Sequence, residues 1–171
     1  MDYRQIFLDP QGRIGPRSFG RAYILLTGVM LVITAAAAVI SPQINVLQYA
    51  LVFPYICVFG KRLHDAGQTA WLWLVILILW MVLNAIVGGV LLQLMSPQAL
   101  ELSREMMGAI MSPESVNEAR LRELVEEFGR LSAVPNLISF LISSAAAGLV
   151  VFNLKSDPNP NRYGAPAAHI D

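Results

Sequence analysis

Side chains able to do acid–base, metal or phosphate chemistry gather in three short stretches of this chain. The first is Gly12-Arg13-Ile14-Gly15-Pro16-Arg17-Ser18-Phe19-Gly20-Arg21. The second runs from Gly60 through Lys61, Arg62, Leu63, His64 and Asp65 to Gly67 and Trp71. The third is Asp157-Pro158-Asn159-Pro160-Asn161-Arg162-Tyr163-Gly164. Adjacent His64 and Asp65 invite a proton-transfer or metal-ligand reading. A metal needs three or four convergent ligands, whereas the other histidine, His169, is distant in sequence and the single cysteine, Cys57, lies in an apolar run. One cysteine excludes an internal disulfide, and its setting suits an inert buried thiol. No serine occupies a nucleophile-elbow sequence and no glycine-rich nucleotide loop is present. Neither metal nor cofactor is therefore expected, and no residue is assigned as catalytic. Two other uses fit these residue types. Arg62 and Asp65 can pair with one another, or with Arg13, Arg17 or Asp157, and staple helix ends together. Arg17, Arg62 and Arg162 can also hold lipid phosphates, because a guanidinium matches phosphate bidentately. The candidate binding site is thus a charged cluster of Arg13, Arg17, Lys61, Arg62, His64, Asp65, Asn161 and Arg162.

The elements that must position this cluster are apolar. Of 171 residues 56% are hydrophobic and 14% charged, against about 25% charged in ordinary soluble domains. Net charge is zero, which implies no nucleic-acid partner. Four apolar runs free of Asp, Glu, Lys, Arg and His stand out, at about 22–40, 44–59, 71–95 and 135–154. A bilayer core of about 30 Å takes about 20 helical residues to cross, and backbone in lipid must bond within its own segment. The fold class expected is an all-α integral membrane protein with four transmembrane helices. The second run is short and contains Pro54, so a re-entrant segment competes with a full crossing there. The first run exceeds a signal-peptide core of about 7–15 residues, and is expected to remain as a span.

Lysine and arginine set the orientation. With four spans, Arg4, Arg13, Arg17, Arg21, Lys61, Arg62, Lys155 and Arg162 share one side, while the 96–134 connection on the other carries four arginines and seven glutamates. Short basic segments stay inside, so both termini are expected in the cytoplasm of a bacterial inner membrane. Dropping the second span would split the basic segments across the membrane. The 96–134 connection itself reads as an amphipathic helical insertion, a periplasmic hairpin. Ser112-Pro113-Glu114 looks like a helix start, and Leu121, Leu124, Val125 and Phe128 fall on one helical face. Glu118–Arg122 and Glu126–Arg130 have favourable i,i+4 order. Leu102, Met106, Ala109 and Ile110 form a similar stripe before it.

In this order around four spans, the three clusters resemble the bacterial inner-membrane family called domain of unknown function 805. Gly12, Arg13, Ile14, Arg17 and Phe19 match its first motif, and Lys61 to Asp65, Gly67 and Thr69 its second. Asn161 to Gly164 match its third. Pro16 stands where a polar residue is usual, Thr69-Ala70-Trp71 replaces the commoner Ser-Gly-Trp, and the 96–134 connection is longer than the family's. The resemblance implies the four-span architecture over nearly the whole chain and leaves activity open. Trp71 and Trp73 suit an interfacial anchor, and Thr69 a cap on the third helix. The function expected is a non-catalytic membrane module whose basic cytoplasmic face staples the bundle and engages anionic membrane lipid or a protein partner of unknown kind. Two alternatives stay open: an oligomeric small-solute transporter or channel, and a membrane-embedded enzyme using His64-Asp65. Transport normally needs ionisable or clustered polar groups within the spans. Here the spans hold only Thr27, Thr34, Gln48, Asn84, Gln93, Ser139, Ser143 and Ser144. Asn84, Gly88, Gly89, Ser143, Ser144 and Gly148 more often mark close helix packing. Four helices are few for a monomeric pore, so transport would call for a homo-oligomer.

Overall fold

The computed structural model describes residues 2–111 and 117–167. Helix α1 spans Tyr3–Leu8 and is capped by Asp2, whose carboxylate accepts the Arg4 and Gln5 N–H groups. Helix α2, Pro16–Val39, has proline in its first turn, where the missing N–H costs no intrahelical bond. A 3-10 segment, Pro42–Gln48, leads directly into α3, Tyr49–Asp65. Helices α4, Leu72–Met95, α5, Pro97–Met111, and α6, Glu118–Phe152, complete the chain. Among the described residues no strand forms beyond one isolated bridge, Asn161 to Gly164.

Four helical segments are long and apolar enough to cross a membrane: Pro16–Val39, Pro42–Asp65, Leu72–Met95 and Glu118–Phe152. A 24-residue helix such as α4 reaches about 36 Å at 1.5 Å per residue, longer than a hydrocarbon core of about 30 Å. The second of these segments is not short. It extends two residues further at one end, to Pro42, and through the Lys61–Asp65 motif at the other, 24 residues in all. The motif is therefore the last turn and a half of α3, not a loop between spans. Helix α2 likewise begins six residues before the apolar run and includes Arg17 and Arg21.

The fourth run is the larger correction. Instead of an insertion ending at residue 134 and a span starting at about 135, α6 is one helix of 35 residues with Pro135 inside it. Proline leaves the carbonyl four residues earlier without its helical donor. That carbonyl belongs to Leu131, and Ser96 Oγ donates to it at 2.9 Å. A side chain from the start of α5 thus supplies the bond that proline removes, and the helix continues.

Helix α5 runs back along the first part of α6, with Glu105 3.0 Å from Arg120 and Ser96 at Leu131. Ala99, Ala109 and Leu124 are buried and Phe128 is half-buried, while Leu121 and Val125 stay exposed. The expected helix start at Ser112-Pro113-Glu114 lies outside the described residues. Asn117 is the observed cap, its side chain accepting the Arg120 N–H at 2.8 Å. Glu118 and Arg122 pair at 3.5 Å, whereas Arg120 pairs with Glu105 and Glu123. No Glu126–Arg130 pair forms among the described residues.

Helix α6 packs on α4 and α2 through small residues. Gly88 faces Ser139, and the Gly148 backbone lies against the Tyr23 ring. Tyr23 Oη donates to the Ser144 carbonyl at 2.7 Å and Trp80 Nε1 to Ser144 Oγ at 3.2 Å. At one end of the bundle Phe19, Tyr23 and Phe59 meet with ring centroids 5.4–5.6 Å apart. Ile6, Ile14, Val58 and Val151 close around them. This aromatic floor lies directly under the charged cluster.

Candidate functional site: a buried charge cluster joining three segments

The site is built on the end of α3. Ala66 follows the helix, Gly67 N–H bonds the His64 carbonyl, and Gln68 N–H bonds the Leu63 carbonyl. That pair of bonds, with Gly67 at φ +71, is the Schellman arrangement that ends helices at a residue with left-handed backbone. A Cβ at Gly67 would also approach Asp157 Oδ2 at 3.6 Å. Each of the three motifs contributes one such glycine, Gly12, Gly67 and Gly164, and among the described residues no others have positive φ. The turn after Gly67 leads to α4. Thr69 Oγ1 accepts the Trp71 N–H at 3.4 Å, one step before the helix, so it shapes this turn and does not cap α4.

Asp65 is the centre. Its Oδ1 accepts from Arg13 Nε at 3.1 Å and Nη2 at 3.0 Å, and its Oδ2 accepts from Arg62 Nη1 at 2.6 Å. All three side chains are 1% exposed. A buried charge is costly unless it is paired and hydrogen-bonded, and this carboxylate has a cation on each oxygen. The remaining guanidinium donors, apart from a buried and unpartnered Arg62 Nε, turn mostly to the segment that follows α6. Arg13 donates to the carbonyls of Asp65, Asp157 and Asn159. Arg62 donates to Ser156 Oγ at 2.8 Å and to the Phe152 and Leu154 carbonyls. The Asp157 N–H closes the ring on the Asp65 carbonyl at 2.7 Å. One motif from before α2, one from the end of α3 and one from beyond α6 thus share one bonded network.

His64 points to the tail. Its ring stacks on Tyr163 with centroids 3.7 Å apart and planes 9° from parallel, and Nδ1 donates to the Gly12 carbonyl at 3.2 Å. Asn161 Nδ2 bonds the His64 carbonyl and the Asp157 carboxylate, both at 3.2 Å. The Asn159 N–H and the Asn161 amide hold the Asp157 carboxyl below the usual carboxylate range. Arg162 lies 4.7 Å from the Tyr163 ring centroid, a cation–π contact.

Of the eight expected residues, Arg13, Lys61, Arg62, His64, Asp65 and Asn161 converge. Arg162 reaches the cluster only through Tyr163, and Arg17 is exposed on the first turn of α2. The guanidinium of Arg62 is buried and engaged internally, so its place is in the staple and not at a phosphate. Lys61 is 4% exposed and donates to the Gln5 carbonyl. It floors an open polar cleft of about 490 Å³ bounded by α1 and the 9–14 segment. Tyr163, Ser156 and the tail carbonyls were not assigned from sequence. An aromatic between Arg162 and Gly164 was the available signal for the first, while backbone acceptors leave none. No group of three or more His, Cys, Asp and Glu stands together among the described residues. A second, apolar cavity of about 200 Å³ lies within the bundle and is lined by Tyr55, Trp73, Trp80 and Phe140 among others.

A family model described as a protein of unknown function, DUF805, matches residues 7–165, and the chain belongs to that family. No curated protein and no solved structure matches it.

Proposed function

We propose that this DUF805 member is a non-catalytic inner-membrane module of a bacterium, with both termini cytoplasmic and a stapled, basic cytoplasmic face turned to anionic lipid. The carrying observation is the fully buried Asp65, held between Arg13 and Arg62 from two different motifs. A carboxylate whose oxygens are both engaged by guanidinium groups has little freedom to take a proton from a substrate. His64 is likewise enclosed between Tyr163 and Gly12. The geometry therefore supports holding helix ends in place over turning over a reactant. Around the staple, Arg4, Arg17, Arg21, Lys155 and Arg162 are exposed, and juxtamembrane basic residues are each drawn to anionic leaflets by about 1 kcal/mol. On this reading α5 and the first part of α6 lie on the periplasmic side.

Thermal unfolding in detergent tests the staple. Replacing Asp65 with alanine leaves two buried guanidinium groups unpaired and should cost about 3–5 kcal/mol. Arg120→Ala removes only exposed pairs and should cost at most about 1 kcal/mol. An Asp65→Ala protein with unchanged melting but a lost measurable activity would transfer the site to the enzyme reading. Mass spectrometry of lipid carried through purification checks the other half, and enrichment of anionic over zwitterionic lipid is the expected result.

A further inference from the structure

We infer that the cleft over Lys61 is a binding site for a phosphate group carried by a lipid headgroup or a soluble phosphate ester. It goes beyond the staple and the exposed basic rim, and its central residue, Lys61, belongs to neither. An ammonium has three donors, and the structure gives the Lys61 side chain one bond, to the Gln5 carbonyl. The residue is 4% exposed, and no carboxylate stands within ion-pair distance of it among the described residues. A buried cation in that state seeks an anion. The cleft it faces is polar and adds the amides of Gln5 and Gln11 and the edge of Arg13. Arg13 shares the single Asp65 carboxylate with Arg62, so that trio stays net positive behind the cleft. Lys61 is the cation there without an ion-pair partner among the described residues, and Asp9 at the rim opposes its attraction for an anion. The Asp9 carboxylate is itself turned to the Gln11 N–H at 2.8 Å. A phosphate offers non-bridging oxygens in several directions, which suits a point-charge lysine surrounded by amide donors. A planar carboxylate would meet fewer of them. The cleft lies at the same end of the bundle as the staple, where a phosphate-bearing headgroup would sit on the orientation proposed above.

The test uses the full chain with two probes, glycerol 3-phosphate by calorimetry in detergent and phosphatidylglycerol retention in nanodiscs by native mass spectrometry. Lys61→Met should weaken binding by about tenfold or more, the loss of a charge-assisted contact. Gln11→Glu should weaken it and Asp9→Asn should tighten it. Both positions are exposed, and asparagine keeps the bond to the Gln11 N–H. These two variants decide the matter should Lys61→Met not fold. Dependence of glycerol 3-phosphate alone on the three substitutions identifies a soluble ester, dependence of phosphatidylglycerol alone a lipid headgroup, and dependence of both either source. Absence of binding by the wild-type chain, or affinities unmoved by the substitutions, overturns the proposal.

Discussion

Asp65 and Asp157 illustrate two different carboxylates within one cluster. Asp65 is buried between guanidinium groups, and its contribution depends on all three side chains staying together. Asp157 is at the surface and is held by neutral donors, the Asn159 N–H at 3.0 Å and the Asn161 amide at 3.2 Å. Those bonds favour its ionised form and lower its pKa. A depressed carboxyl contributes stability that is present above its unfolded pKa and lost as pH falls through the folded one. The Asn159 amide resonance, followed by NMR, should therefore shift as pH drops below the ordinary aspartate range, and Asp157→Asn should remove that titration. A shift centred at or above the ordinary range would contradict the assignment. The Arg13–Asp65–Arg62 pairing was legible because opposite charges at a membrane boundary have few other partners. The Tyr163–His64 stack and the carbonyls that receive Arg13 and Arg62 were not, because backbone acceptors carry no residue signature.

At the scale of elements, hydropathy located every apolar core but misplaced the ends. It loses α3 at Phe59, where charge begins, yet the helix continues to Asp65 because Lys61, Arg62 and Asp65 all find partners within the fold. It divides α6 at Pro135, since proline in a helix normally breaks it. The rescue by Ser96 depends on a residue 35 positions away, which no local pattern carries. Alpha5 and the Glu118–Arg122 pair follow local periodicity and were readable, whereas of the Leu121–Phe128 stripe only Leu124 is buried and Phe128 half-buried. The small-residue packing of α6 yields a test of its own. A Cβ at Gly148 would enter the Tyr23 ring, which is fixed among Phe19, Tyr55 and Phe59. Gly148→Ala should lose about 1–3 kcal/mol through overpacking. Gly89→Ala meets nothing within 4 Å and should be neutral or slightly stabilising in the same chemical-denaturant assay. Equal losses at the two positions would mean that α6 does not approach α2 in this way.

Over the whole molecule, four helical segments alternate in direction and return three motifs to one end. The eight basic residues around those motifs predict that this end is cytoplasmic. With Cys57 replaced, single cysteines at Gln68 and Ala167 should be shielded from a membrane-impermeant reagent in intact cells, and one at exposed Arg122 should react. Labelling of position 68 from outside would remove the four-span orientation. The central claim, that the Asp65 staple joins separate segments of the chain, is tested most directly by a double-mutant cycle. Stability in detergent is measured for Arg13→Ala, Asp65→Ala and the pair. The two side chains are 52 positions apart in sequence and in direct contact, so their losses should couple by roughly 1–3 kcal/mol, the double variant losing less than the two singles combined. Losses that add to within about 0.5 kcal/mol would show that Arg13 and Asp65 act independently, and the staple would not exist.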